Sequence, residues 1–195
     1  MKRAFLFAIL LLTCTQSFAQ FKGSDFSLNL GYPIPVGSNF VNEGFSVGYK
    51  GIADIGLDYT IFKASKVDVG MLINSSFLKF TPADVLLNVI SPKVKLGYTM
   101  QLRKIVIQPQ LALGYVHFGF KGSKYNYKES VDGLAARVSA KAILKSARKI
   151  NYYLSLAYEM NRIGKLRPEV PSTSYDRNIQ FVIPGVGILW NFGRL

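Results

Sequence analysis

Eight ionisable side chains interrupt stretches that are otherwise apolar: Asp54, Asp58, Asp68 and Glu159, with Lys93, Lys95, Arg137 and Lys141. Each stands between apolar neighbours. Ile55 and Leu57 separate the first two aspartates, Val94 separates the two lysines, and Tyr158 and Met160 flank Glu159. A period of two places all the charges on one side of β-strands and the apolar residues on the other. Four acids and four bases facing one narrow, poorly hydrated space are costly unless they pair. The pattern therefore predicts a lumen charge network, with hydrogen bonds from Asn74, Gln108, Gln110 and Ser155, that braces and largely blocks a barrel. The alternative is that the same residues line a narrow path for ions or small solutes.

Other chemistry has less to work with. His117 is the one histidine. With an acid and a serine drawn from Asp132, Asp176, Ser123 and Ser174 it could form a lipid-modifying site at an outer rim. Serines and aspartates fill most loops, so the reading is non-enzymatic, with His117 as an interfacial residue. No metal-ligand cluster, phosphate-binding glycine loop or nucleophile motif is present, and no cofactor is expected. The formal charge of +13 is split among turns, lumen and loops. There is no basic helix and no aromatic RNA-binding signature, which argues against nucleic acid.

The elements that carry these residues follow from the alternation. Residues 151–161 are the cleanest strand: Tyr152, Leu154, Leu156, Tyr158 and Met160 form one face, Asn151, Ser155, Ala157 and Glu159 the other. Aromatics near the ends with aliphatics between suit a face that meets headgroups at its edges and lipid in its middle. The same pattern recurs at residues 25–33, 51–62, 67–77, 90–101, 105–115 and 178–192. Residues 134–149 are alanine-rich enough for a helix, but they alternate and are read as the sixth of eight strands. In the last strand the phase shifts near Pro184-Gly185, from Ile179, Phe181 and Ile183 to Val186, Ile188 and Trp190, which predicts a bulge. Pro92 and Pro109 predict a bulge or a lost ladder bond. Short links join strands two to three, four to five and six to seven. Longer loops, including residues 79–87, 121–130 and 162–177, join the others. That arrangement puts every short turn and both termini on one rim.

The first residues look like a signal peptide: Lys2-Arg3, an apolar run from Ala4 to Leu12, and Ser17-Phe18-Ala19 as the cleavage motif. Domains are expected at 1–19 (signal peptide) and 20–195 (barrel). A lipidated Cys14 is the alternative. Removing Lys2 and Arg3 lowers the formal charge from +13 to +11 and leaves a chain without cysteine. The fold class is therefore all-β: an eight-stranded antiparallel up-and-down transmembrane β-barrel.

On these features the sequence resembles the small outer-membrane β-barrel proteins, the porin-family barrels of the OmpA/OmpX type. Its closing Gly187-Ile188-Leu189-Trp190-Asn191-Phe192 looks like the C-terminal signal of such barrels, although Gly193-Arg194-Leu195 follow the aromatic. The resemblance implies a Gram-negative outer membrane and insertion by the barrel-assembly machinery, and the basic, tyrosine-bearing loops at residues 121–128 and 162–177 are expected to contact outer-membrane lipid and lipopolysaccharide. It implies a structural, adhesive or limited permeation role, carried by a monomer. A soluble lipocalin-like barrel would need the two strand faces exchanged. The external ligand is not legible.

Overall fold

The computed structural model of the chain describes residues 24–43, 48–122, 127–144, 149–164 and 177–191. The expected signal peptide, Cys14, Ser123, Ser174, Asp176 and Phe192 lie outside the described residues. Ten strands and one short helix follow in chain order: β1 (Asp25–Gly31), β2 (Ile34–Val36), α1 (Phe40–Glu43), β3 (Lys50–Ala64), β4 (Val67–Phe80), β5 (Val85–Tyr98), β6 (Met100–Gln101), β7 (Ile105–Gly122), β8 (Tyr127–Leu144), β9 (Ile150–Ile163) and β10 (Asn178–Asn191). Eight of them close an antiparallel ring, β1-β3-β4-β5-β7-β8-β9-β10, and β10 pairs back onto β1. No described helix is long and apolar enough to cross a membrane.

Closure sets the tilt. Partnered residues traced once around the ring run Phe26, Tyr59, Met71, Val94, Leu113, Ala136, Met160 and Gln180. The path returns at Val36 of β2, ten residues beyond Phe26. Strand number and stagger together fix the tilt, here about 40° to the barrel axis. The same trace shows that β2 continues β1 in register beyond the break at Tyr32-Pro33.

Alternation decides the surface. Leu28, Leu30, Ile55, Leu57, Met71, Ile73, Val94, Leu96, Leu111, Leu113, Val138, Leu154, Leu156 and Val186 are all exposed. About ten residues of each strand carry this band. At a rise of ~3.3 Å per residue and that tilt, the band is about 25 Å tall, the height of a bilayer's apolar layer. The register places aromatics near both of its edges: Phe26, Phe62, Tyr98, Tyr152 and Trp190 towards the rim with the termini, and Tyr32, Phe77, Tyr115 and Tyr158 towards the other. Residues 134–144 are a strand in every respect, paired along β7 and β9.

Several expectations need correction. Strands β4, β5, β7 and β8 extend further than alternation suggested. The loops expected at 79–87 and 121–130 shrink to residues 81–84 and 123–126, so long and short connections do not alternate strictly. The first of these is a 3-10 turn over Thr81–Ala83 that ends with Asp84 in the left-handed region (φ 49°). No bulge occurs at Pro184-Gly185, because β9–β10 pairing runs unbroken through Pro184↔Leu156 and Gly185↔Ser155. The phase never slips; Ile179, Phe181 and Ile183 face inward and are buried. A register shift that was not expected falls between Thr60 and Phe62. It turns Phe62 outward, at 53% exposed, where Ile61 was expected. The two prolines interrupt pairing without changing register. The β5–β7 ladder skips from Ile90↔His117 to Lys93↔Gly114 beside Pro92. It breaks again opposite Pro109, between Gly97↔Gln110 and Met100↔Ile107.

Candidate functional site: the filled lumen

The strands bring all eight predicted charges into one interior, and none is more than 6% exposed. They form two groups. The upper group, nearer the rim opposite the termini, centres on Glu159. Its Oε2 accepts from Lys93 Nζ at 3.1 Å and from Arg137 Nη1 at 3.2 Å. Lys93 also donates to Asn74 Oδ1 at 2.6 Å. Asp54 accepts from Ser76 Oγ at 2.5 Å and Asn74 Nδ2 at 3.2 Å, with Arg137 Nη1 at 4.0 Å.

The lower group centres on Asp58, held between Lys95 and Lys141, the latter at 2.5 Å. Lys95 reaches Asp68 at 3.4 Å and donates to Thr60 Oγ1 at 2.9 Å. Gln108 Nε2 donates to Asp68 at 2.8 Å, and Gln110 Nε2 to Asp58 at 3.3 Å. Lys141 also donates to Ser27 Oγ at 2.8 Å and lies 4.9 Å from the centre of the Tyr153 ring. Ser155, expected in this network, instead donates to Asn29 at 2.7 Å. Glycine makes room for these groups: a Cβ on Gly97 would stand 2.5 Å from an Asp68 carboxylate oxygen.

The rest of the interior is apolar, which the sequence reading missed. Towards the rim opposite the termini, Leu78, Leu87, Val89, Val116, Phe118, Phe120, Ile163, Ile179, Phe181 and Ile183 pack into one cluster. The signal was available. Beyond Gly114 the inward, even positions of β7 become Val116, Phe118 and Phe120, so the inward face has changed character. Over this cluster folds the segment that follows β2. Val41 of α1 is fully buried within it, and Phe40 and Tyr49 pack against it. Asn39 starts the helix: its Oδ1 accepts from the amides of Val41 and Asn42, each at 3.1 Å, and its Nδ2 donates to Val36 O at 2.7 Å. These bonds satisfy amides that a helix N-terminus otherwise leaves open.

Between the charge groups and the Tyr153 side a void of ≈ 20 Å³ remains, lined by Asp58, Gln110, Arg137, Lys141 and Tyr153 among others. That is about the space of one water molecule.

On the outer wall His117 Nδ1 lies 2.7 Å from Asp132 Oδ1, and both side chains are exposed. The pair sits at the upper edge of the apolar band, outside the lumen. Ser123, Ser174 and Asp176, weighed as partners for it, lie outside the described residues. Among the described residues no group of histidine, cysteine, aspartate and glutamate could hold a metal ion.

No protein-family model matches the chain, and no curated protein matches it. Solved structures match it in fold. Neisserial surface protein A aligns with a TM-score of 0.58 at 12% identity, over 87% of this chain and 97% of its own. Ail, the attachment invasion locus protein of Yersinia pestis, gives 0.54 at 14% identity, over 88% and 100%. The N-terminal β-barrel domain of OprF from Pseudomonas aeruginosa gives 0.50 at 13%, over 89% and 100%. At such identity the likeness is one of fold. The chain has the eight-stranded up-and-down β-barrel fold that these outer-membrane proteins share.

Proposed function

We propose that the protein resides in a Gram-negative outer membrane as a closed, non-enzymatic barrel with a structural or surface-interaction role. The observation that carries this reading is the filled lumen: paired charges over half its depth, an apolar plug above them, and α1 folded across the mouth. A conducting pore needs a continuous hydrated path, and buried charges paired as tightly as Lys93 and Glu159 argue against one. In this reading residues 1–19 are a cleaved export signal, and the barrel-assembly machinery inserts the chain. Its outer contacts are membrane lipid and lipopolysaccharide. The β7–β8 hairpin supports a surface role. It rises about 15 Å beyond the apolar band on the lattice of the tilted strands, and it carries Lys121 and Lys128 as directly opposed, exposed residues.

The test is planar-bilayer recording of the refolded, heat-modifiable protein. No unitary conductance steps are expected. Steps that Lys93→Met or Arg137→Met changes in size would establish the narrow channel instead.

A further inference from the structure

The outer wall carries a groove of ≈ 740 Å³ across β7, β8, β9 and β10, and another of ≈ 430 Å³ across β1, β8, β9 and β10. Ala136 accounts for the larger. On β8 it lies one outward position from Leu134, and it partners Met160 of β9. Leu134 is 71% exposed, the most exposed of the large apolar residues among those described, and Met160 is 44% exposed. Between these two ridges a methyl group leaves a trough that opens to the membrane side. Arg162 partners Leu134 across the strands and is exposed at the head of the trough. Gln180 lies beside it and accepts a hydrogen bond from Tyr158 at 2.7 Å.

Height decides what fits. On the lattice set by the ring, a step of one strand at constant height shifts about 1.25 residues. By that rule Arg162 falls level with Lys79, Asn88, His117 and Asp132, at the upper edge of the apolar band. The trough below it lies wholly within the band. We infer that this groove binds an anionic phosphorylated membrane lipid of the leaflet at that rim, one acyl chain lying over Ala136 and the net-negative headgroup meeting Arg162. The inference rests on the membrane-barrel reading above. The complementarity is specific. An apolar trough ends at a guanidinium, whose planar donors suit a phosphate.

The experiment is native mass spectrometry of the refolded full chain released from mixed phosphatidylglycerol and phosphatidylcholine micelles. Heat-modifiable gel mobility is recorded for every variant. One basic residue at an anionic headgroup predicts about a fivefold preference for phosphatidylglycerol. Arg162→Gln is expected to bring the ratio to about one. Ala136→Phe, which fills the trough from the lipid side, is expected to abolish the retained lipid. Ala142→Phe, outward on the same strand but lower, is expected to retain it. Equal retention of both lipids by the wild type overturns the proposal. So does a preference that survives Arg162→Gln, or an Ala136→Phe variant that retains lipid like the wild type. Each of those failures, with heat-modifiable mobility intact, leaves the barrel reading standing. A wild type without that mobility overturns both.

Discussion

Glu159 shows how little freedom a buried charge has in this interior. One carboxylate oxygen serves both Lys93 and Arg137, and the side chain is 1% exposed. Glu159→Ala would leave two cations facing each other in a buried site. Removing one member of a buried ion pair costs about 3–5 kcal/mol, because the remaining charge is uncompensated. Urea unfolding in lipid vesicles should register a loss of that size. The comparison residue is Asp25, which pairs with Lys63 at 3.1 Å while Lys63 remains 30% exposed. Asp25→Asn should cost under about 1 kcal/mol, since water stabilises the freed ammonium. A similar loss at both positions would mean that the lumen is wetter than its packing implies. These charges were legible because each interrupts an alternating apolar stretch. Their neutral partners Ser27, Thr60 and Ser76 were not. A hydroxyl on an inward face looks the same in sequence whether it bonds a carboxylate or merely fills space.

The elements follow from where a side chain can fit as much as from what it prefers. Gly187 of β10 faces inward opposite Tyr153 of β9. A Cβ there would come within 2.2 Å of the tyrosine ring and 2.5 Å of Leu28 O. The Tyr153 hydroxyl donates to that same Leu28 carbonyl at 3.2 Å. Gly187→Ala should therefore displace the ring and weaken β1–β10 closure, at a cost of about 1–3 kcal/mol from overpacking. Gly56→Ala is the control, since its Cβ would meet nothing nearer than 3.4 Å. Equal stability of the two variants would show that the seam yields. A second element depends on one side chain. Asn39→Ala removes the cap of α1 and should cost about 1 kcal/mol. It should also raise hydrogen exchange at the amides of Val41 and Asn42 while leaving the ring strands protected. The strands were readable from their period of two. The α1 cover was not, because a four-residue helix has no periodicity to read. The expected bulge at Pro184 failed for an instructive reason. Apolar residues were assumed to face out everywhere, whereas β10 turns apolar inward where it meets the plug.

For the molecule as a whole, the decisive property is that its exterior changes with depth while its interior changes along the same axis. Outside, a band about 25 Å tall separates two polar rims; inside, paired charges give way to an apolar plug at one end. Either pattern alone suits several architectures. Together they fit a filled cylinder standing in a bilayer. A single arginine moved along one outward face measures that arrangement directly. Leu156 of β9, 57% exposed, falls at mid-height of the band by the lattice of strand partners, and Ile150, 40% exposed on the same face, falls at its lower edge. An outward arginine costs about 2–4 kcal/mol at the bilayer midplane and about 0–1 near the interface. Leu156→Arg should therefore destabilise the refolded protein in vesicles by several-fold more than Ile150→Arg, with Leu154→Arg between them. Neither side chain touches the lumen, so the difference reports lipid depth and not packing. Equal costs along the face would mean that the band meets water. The greasy exterior would then have to be covered by something other than a membrane.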